Sequence, residues 1–171
     1  AIFSHLQIGI QGAMIQLFSH GINVLGLWIV ADIIEQQTGT RSMQQMGGLA
    51  KKQPTLAILL VGFALANIAL PLTNAFVGEF LMFNGLFKFN VWYAAVGGLS
   101  IILSAIYTLR MIQKVFYGNE NGLTEKGEDI TWFEKASLAV IVVAIFVMGI
   151  YPKPVFDLTA DTVTMILGVF N

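Results

Sequence analysis

Polar positions in this chain arrive in clusters, separated by apolar runs too long for strands. Residues 6–31 carry no acidic or basic side chain apart from His20, and residues 55–86 carry a single ionisable group, Glu79. Further apolar runs cover 91–117, up to Arg110 and Lys114 near its end, and 135–151. A hydrocarbon core about 30 Å thick needs about 20 residues of α-helix, so the pattern predicts an all-α, polytopic membrane helix bundle with about four transmembrane helices. These are expected at approximately 8–31, 55–86, 91–117 and 135–151, in one membrane domain spanning 1–171. The second run is too long for one straight crossing, because its 32 residues would rise roughly 48 Å. Pro71, which has no N–H to donate, and the polar pair Thr73 and Asn74 interrupt it. It therefore reads as one discontinuous span, broken near 71–75. Lipid tolerates such a break only where protein or water covers the freed backbone groups. An acid beside it marks a functional site.

In the first run Gln16, Ser19, His20 and Asn23 fall at i, i+3, i+4 and i+7, with Gly12 and Gly26 continuing the row. That spacing puts all of them on one helix face, directed at neighbouring helices or water. Interhelical hydrogen bonding accounts for Gln16, Ser19 and Asn23 as packing glue. Only His20 can carry a proton near neutral pH, which makes it a candidate proton relay. In the third run Gly97, Ser100, Ser104, Tyr107 and Thr108 again share a face, while Arg110 and Lys114 can reach the membrane surface. Ala136–Tyr151 has no polar face and is expected to be a peripheral, lipid-facing helix. Pro152-Lys153-Pro154 ends it, and 155–171, which alternates apolar groups with Asp157 and Asp161, is expected to be an interfacial tail.

Between the runs, 32–53 and 118–135 read as solvated loops, the first with a short surface helix. Segments 32–53 and 110–135 share one side if four spans are correct. Together they hold Arg41, Lys51, Lys52, Arg110, Lys114, Lys126 and Lys135, against Lys88 and Lys153 elsewhere. The positive-inside rule then puts the basic side in the cytoplasm and the C-terminus on the extracytoplasmic side of a cell inner (plasma) membrane. A re-entrant loop at 55–86 would split the basic loops between two faces. The chain is 56% hydrophobic and 11% charged, with net charge −1, against about 25% charged in soluble domains. Near-neutral charge argues against nucleic acid as a partner. The absence of cysteine excludes disulfides, iron–sulfur ligation and a thiol nucleophile, and no His/Asp/Glu spacing suits a metal. The chain begins Ala1-Ile2-Phe3-Ser4-His5 without a basic n-region or cleavage site, so no signal peptide is expected and the sequence reads as a piece of something longer.

Glu79 is the candidate proton carrier. Holding a charge at mid-membrane costs roughly 3 kcal/mol on insertion scales unless it is relieved. A low dielectric disfavours the charged form of a carboxyl group, so an acid at this depth can load and release a proton near physiological pH. The competing reading is an acid merely paired with a base, for which His20 and Lys88 are the candidates.

Four runs carry a resemblance. They are Gln11-Gly-Ala-Met-Ile-Gln-Leu-Phe-Ser-His-Gly21; Thr40-Arg41 followed by Gly47-Gly-Leu49; Phe76-Val-Gly-Glu-Phe80; and Ser104-Ala-Ile-Tyr-Thr-Leu109 ending in Phe116-Tyr-Gly118. In this order they resemble the chain M (subunit 4) family of proton-pumping NADH:quinone oxidoreductase, respiratory complex I, over most of the chain. The resemblance implies the C-terminal part of an antiporter-like subunit, partnered by other membrane subunits of complex I, the lipid bilayer and protons. Glu79 would correspond to the terminal proton-channel acid, where the L and N chains and many cation/proton antiporter subunits have Lys. His20 would correspond to a histidine of the hydrophilic axis. Gln16, Ser19, Asn23, Pro71, Thr73, Asn74, Ser104 and Tyr107 would line that axis. No cofactor is implied in this chain: it would bind no NADH, flavin or quinone, and no metal. The family often has glycine where this chain has Leu72. The competing functions are a subunit of a multi-subunit cation/proton antiporter or membrane-bound hydrogenase, and a purely structural membrane module.

Overall fold

The computed structural model describes residues 4–119, 122–124 and 128–170; residues 1–3, the loop positions 120–121 and 125–127 (Glu125 and Lys126 among them) and Asn171 lie outside the described residues. Among these the chain is helical, with α1 (Gln7–Thr38), α2 (Leu49–Lys52), α3 (Pro54–Asn67), α4 (Asn74–Phe89), α5 (Val91–Phe116), α6 (Trp132–Ile150) and α7 (Lys153–Phe170). α1, α5 and α6 are each long and apolar enough to cross a membrane.

The long central helix α1 does not stop where charge first appears. The loop expected from Asp32 begins at Gly39, because the polar residues of the last turns sit outside and bond along the helix. Gln36 Nε2 donates to Asp32 Oδ2 at 2.7 Å, and Arg41 pairs with Glu35 at 2.5 Å. Gly39 then ends the helix in the left-handed conformation (φ 69°), donating its N–H to Glu35 O, as glycine does at helix C-termini.

Pro54 occupies the first turn of α3, where its missing N–H costs nothing. α3 ends at Asn67, four residues ahead of Pro71. Ala69 turns left-handed (φ 54°), and Leu70, the residue before Pro71, is disfavoured in the helical region. Leu72 is left-handed too (φ 78°), at a cost of roughly 1–2 kcal/mol for each non-glycine residue so placed. Local hydrogen bonds cover part of the break. Thr73 donates its N–H and its hydroxyl to Leu70 O, at 3.1 and 2.6 Å, and Asn74 Oδ1 accepts from Ala75 N–H at 2.8 Å. The non-helical stretch is therefore 68–73, slightly earlier than the proline and polar pair suggest.

α1 packs along both half-helices, with α3 on its C-terminal part and α4 on its N-terminal part; its interface with α4 is the most extensive in the chain. Around α3 the packing is by interlocking side chains. Val30, Ile33 and Ile34 of α1 meet Leu56, Leu60 and Phe63 of α3, Ile112, Val115 and Phe116 of α5, and Leu138 and Ile145 of α6. The Phe63 ring fills the space over Gly26. Around α4 the packing is backbone to backbone: Gly12 lies against Gly78 and Met82, and Gly9 against Gly85.

The two basic loops meet at one end of the bundle. Gly48 N–H donates to Tyr117 O at 3.3 Å, and the Thr55 hydroxyl donates to Asp129 Oδ2 at 2.7 Å. The chain from 54 to 116 thus leaves this end and returns to it, which a re-entrant segment followed by a single span could not do. Asp129 also pairs with Lys135 at 3.0 Å. Burial pushes its carboxyl up, but the Thr55 hydroxyl, the Lys135 ammonium and the Ile130 N–H outweigh burial and hold it below the usual carboxylate range.

Thr131 and Glu134 start α6 with a reciprocal capping box. The expected interfacial tail is an 18-residue helix, α7, which packs against α1 with Thr159 and Val163 buried. Its residues 155, 159, 163 and 167 recur every fourth position, a helical stripe; a loose alternation along the tail would not give it.

Candidate functional site

Glu79 is the sixth residue of α4, about one and a half turns past the break. Its carboxylate is half-buried and opens into a cavity of about 630 Å³. The walls come from four elements: Gln16 and His20 of α1, Asn67 and Ile68 at the end of α3, Met82, Phe83 and Leu86 of α4, and Ser100, Ser104 and Tyr107 of α5. No ion pair joins Glu79 to any described residue. His20 shares its chamber without pairing with it, and Lys88 is exposed at the far end of α4. Among the described residues, simple pairing with a base is therefore not what accommodates the acid.

Glycine is what brings the chamber walls together. A Cβ at Gly78 would collide with the Gln16 carboxamide, so the bare Cα beside Glu79 lets the α1 side chain lie across α4. On α5, Ser104 Oγ donates to Tyr107 Oη at 3.3 Å, and Ser100 Oγ donates to Gly97 O at 2.6 Å. These hydroxyls make the α5 wall partly polar, beside Ile101 and Leu103, while Thr108, one residue past Tyr107, is buried outside it. The remaining wall, Met82, Phe83 and Leu86, is apolar.

The polar stripe of α1 divides between two environments. Gln16 and His20 line the chamber, with His20 exposed. Ser19 and Asn23 lie with Gly12, Gly26 and Val30 on a buried ridge, at 0% and 2% exposure. There the stripe meets the break, where Asn74 Nδ2 donates to Ser19 O at 3.5 Å. Thr73 and Asn74 are buried and serve this junction and the break itself, while Pro71 faces a separate cavity with Leu72, Phe76, Gly149 and Phe156. Of the ten residues singled out from sequence, the structure gathers Glu79, His20, Gln16, Ser104 and Tyr107 into one chamber. It places Ser19, Asn23, Pro71, Thr73 and Asn74 in the packing around the break.

Gln16 Oε1, Ser19 Oγ and Asn23 Oδ1 are buried with no hydrogen-bond partner among the described residues. Buried polar atoms in proteins are nearly always satisfied, so this row of acceptors is suited to ordered water. Asn67 is the polar chamber residue that sequence reasoning passed over; its one signal is a carboxamide inside the apolar run, four residues ahead of Pro71. The apolar wall had no signal to find. Among the described residues no three His, Asp or Glu side chains converge on a point. The arrangement suits proton exchange: one acid with no ion-pair partner among the described residues, one imidazole and several hydroxyls share a space with room for several waters.

Residues 1–106 match the family described as NADH:quinone oxidoreductase/Mrp antiporter, TM. The chain is 35% identical over 171 residues to NADH-quinone oxidoreductase subunit M of Rhodobacter capsulatus, across 99% of this chain and 33% of that one. It is 30% identical over 159 residues to subunit M of Escherichia coli (strain K12), across 92% of this chain and 31% of that one. Among solved structures it is similar to a chain of respiratory complex I from Thermus thermophilus with bound NADH, at TM-score 0.88 and 29% identity, covering 99% of this chain and 36% of that chain. The chain spans about a third of the length of the curated relatives it matches.

Proposed function

The chain belongs to the NADH:quinone oxidoreductase/Mrp antiporter family of membrane proteins, and from that premise we propose that it forms the C-terminal part of a proton-translocating, non-redox subunit of NADH:quinone oxidoreductase. The observation that carries the reading is Glu79, an acid with no ion-pair partner among the described residues, in a chamber with His20 and within two turns of a helix break. A carboxyl group there accepts a proton when its surroundings favour the neutral form and releases it when a nearby charge changes. His20 relays protons within the chamber, and the hydroxyls of Ser104 and Tyr107 orient the water that carries them. The names of the relatives, subunit M of the same enzyme in two bacteria, support the assignment. Redox chemistry takes place elsewhere in the assembly, whose other membrane subunits are the partners of this one. The joined basic loops face the cytoplasm by the positive-inside rule, which directs the α6–α7 elbow and the C-terminal segment toward the extracytoplasmic side.

The test is Glu79→Gln in the full-length subunit, assembled in the complex within membrane vesicles. NADH-driven proton uptake is expected to fall sharply. Wild-type uptake in this variant would remove the proton-carrying role and leave a structural module.

A further inference from the structure

We infer that Gly149 of α6 is a positioning residue for the helix break, and through it for Glu79; the inference rests on the proton-carrying reading of that acid. Gly149 lies in the last turn of α6 and looks unremarkable in an apolar run. Its Cα is seated on the backbone of the break. A Cβ there would run into the Leu72 carbonyl oxygen and stand 2.5 Å from Thr73 C and 2.6 Å from Leu72 C. These atoms are main chain, so no rotamer change could make room.

Leu72 is held in a left-handed conformation (φ 78°) that a leucine rarely adopts. Its own side chain does not hold it there, because Leu72 is 62% exposed. What constrains it is backbone: the two hydrogen bonds from Thr73 to Leu70 O on one side, and the bare face of Gly149 on the other. Pro152 ends α6 just beyond this point. Phe156 of α7 then joins Gly149, Pro71, Leu72 and Phe76 around a shared cavity. The α6–α7 elbow is thus a seat for the break, reached from a helix whose sequence offered no polar face. Asn74 begins α4 two residues after Leu72, so a displaced Leu72 redirects the first turns of α4, on which Glu79 is carried.

The experiment uses the full-length subunit in the assembled complex, in membrane vesicles, with Gly149→Ala, Leu72→Gly and the double variant. Proton uptake per NADH oxidised is measured alongside hydrogen–deuterium exchange of the amides between 68 and 75. Gly149→Ala is expected to lower proton uptake per NADH and speed exchange at the break, while NADH oxidation continues. Leu72→Gly relaxes the left-handed residue so that the carbonyl can move aside, and the double variant is expected to recover both readouts. If Gly149→Ala prevents assembly, recovery of assembly in the double variant supports the seat. The inference is overturned if Gly149→Ala leaves uptake and exchange at wild-type values, or if Leu72→Gly fails to rescue it. Exchange reports on the seat whether or not Glu79 carries protons. A normal Glu79→Gln variant would therefore sink the proton reading without being mistaken for failure of the seat.

Discussion

Gly12→Ala introduces a single methyl group into the α1–α4 seam, and its consequence can be worked out in advance. The new Cβ would stand 2.7 Å from Met82 N, 2.8 Å from Gly78 O and 2.9 Å from Leu81 Cβ. The first two are backbone atoms and cannot turn away. Reaching the 3.4 Å of ordinary van der Waals contact requires the helices to part by about 0.7 Å. Glu79 follows Gly78 directly, so that displacement moves the acid relative to Gln16 and His20. Misplacing a reacting group by about 1 Å can cost on the order of a hundredfold in rate, so a large loss of coupled proton uptake is expected. Gly21→Ala is the control: it neighbours His20 on the same helix, and nothing lies within 4 Å of its would-be Cβ. Both substitutions gain up to about 1 kcal/mol from alanine's helix propensity, and only Gly12→Ala carries an overpacking cost of about 1–3 kcal/mol. The difference between the two variants therefore isolates the steric term. Thermal unfolding of the purified complex and NADH-driven proton uptake in vesicles provide the two measurements. Equal behaviour of Gly12→Ala and Gly21→Ala in both would refute the view that the glycine seam sets the chamber geometry.

Two further outcomes are expected. Ser19 is fully buried, and its hydroxyl, which has no partner among the described residues, belongs to the row of atoms suited to ordered water; Ser19→Ala should therefore cost roughly 1 kcal/mol of stability, and an unchanged or raised unfolding temperature would show that the hydroxyl is not satisfied. Asp129 is held below the usual carboxylate range by Thr55, Lys135 and Ile130 in spite of its burial, so its contribution is present above the unfolded value of about 4 and fades as pH falls through the lower folded value. Relative to Asp129→Asn, the wild-type protein should therefore lose stability on acidification below about pH 4, and parallel unfolding curves for the two proteins would contradict the link between the basic loops.

The broken span and its acid were legible because they violate simple counts: an apolar run too long for the bilayer, interrupted by Pro71, with one charge. The chamber was half legible. Helical spacing places Gln16 and His20 one turn apart, but it cannot say that they and the Ser19–Asn23 pair look toward different neighbours. That division depends on where α4 crosses α1, which Gly12 and Gly78 decide by lacking side chains. The extension of α1 to Thr38 was hidden because charged residues at a helix end resemble a loop in composition, while their partners along the helix are visible only in three dimensions. Gly149 was illegible for a related reason. Its role is a contact between main chains distant in sequence, and a glycine in an apolar helix carries no mark of one.

The bundle has one stiff half and one smooth half. Between the break and the basic loops, rings and branched side chains from α1, α3, α5 and α6 mesh like gear teeth around Phe63, so no helix can slide without the others. Beyond the break, α1 and α4 approach main chain to main chain along glycines. The two halves of the bundle are thus held in different ways, by interlocked side chains next to the basic loops and by close main-chain contact where Glu79 is carried.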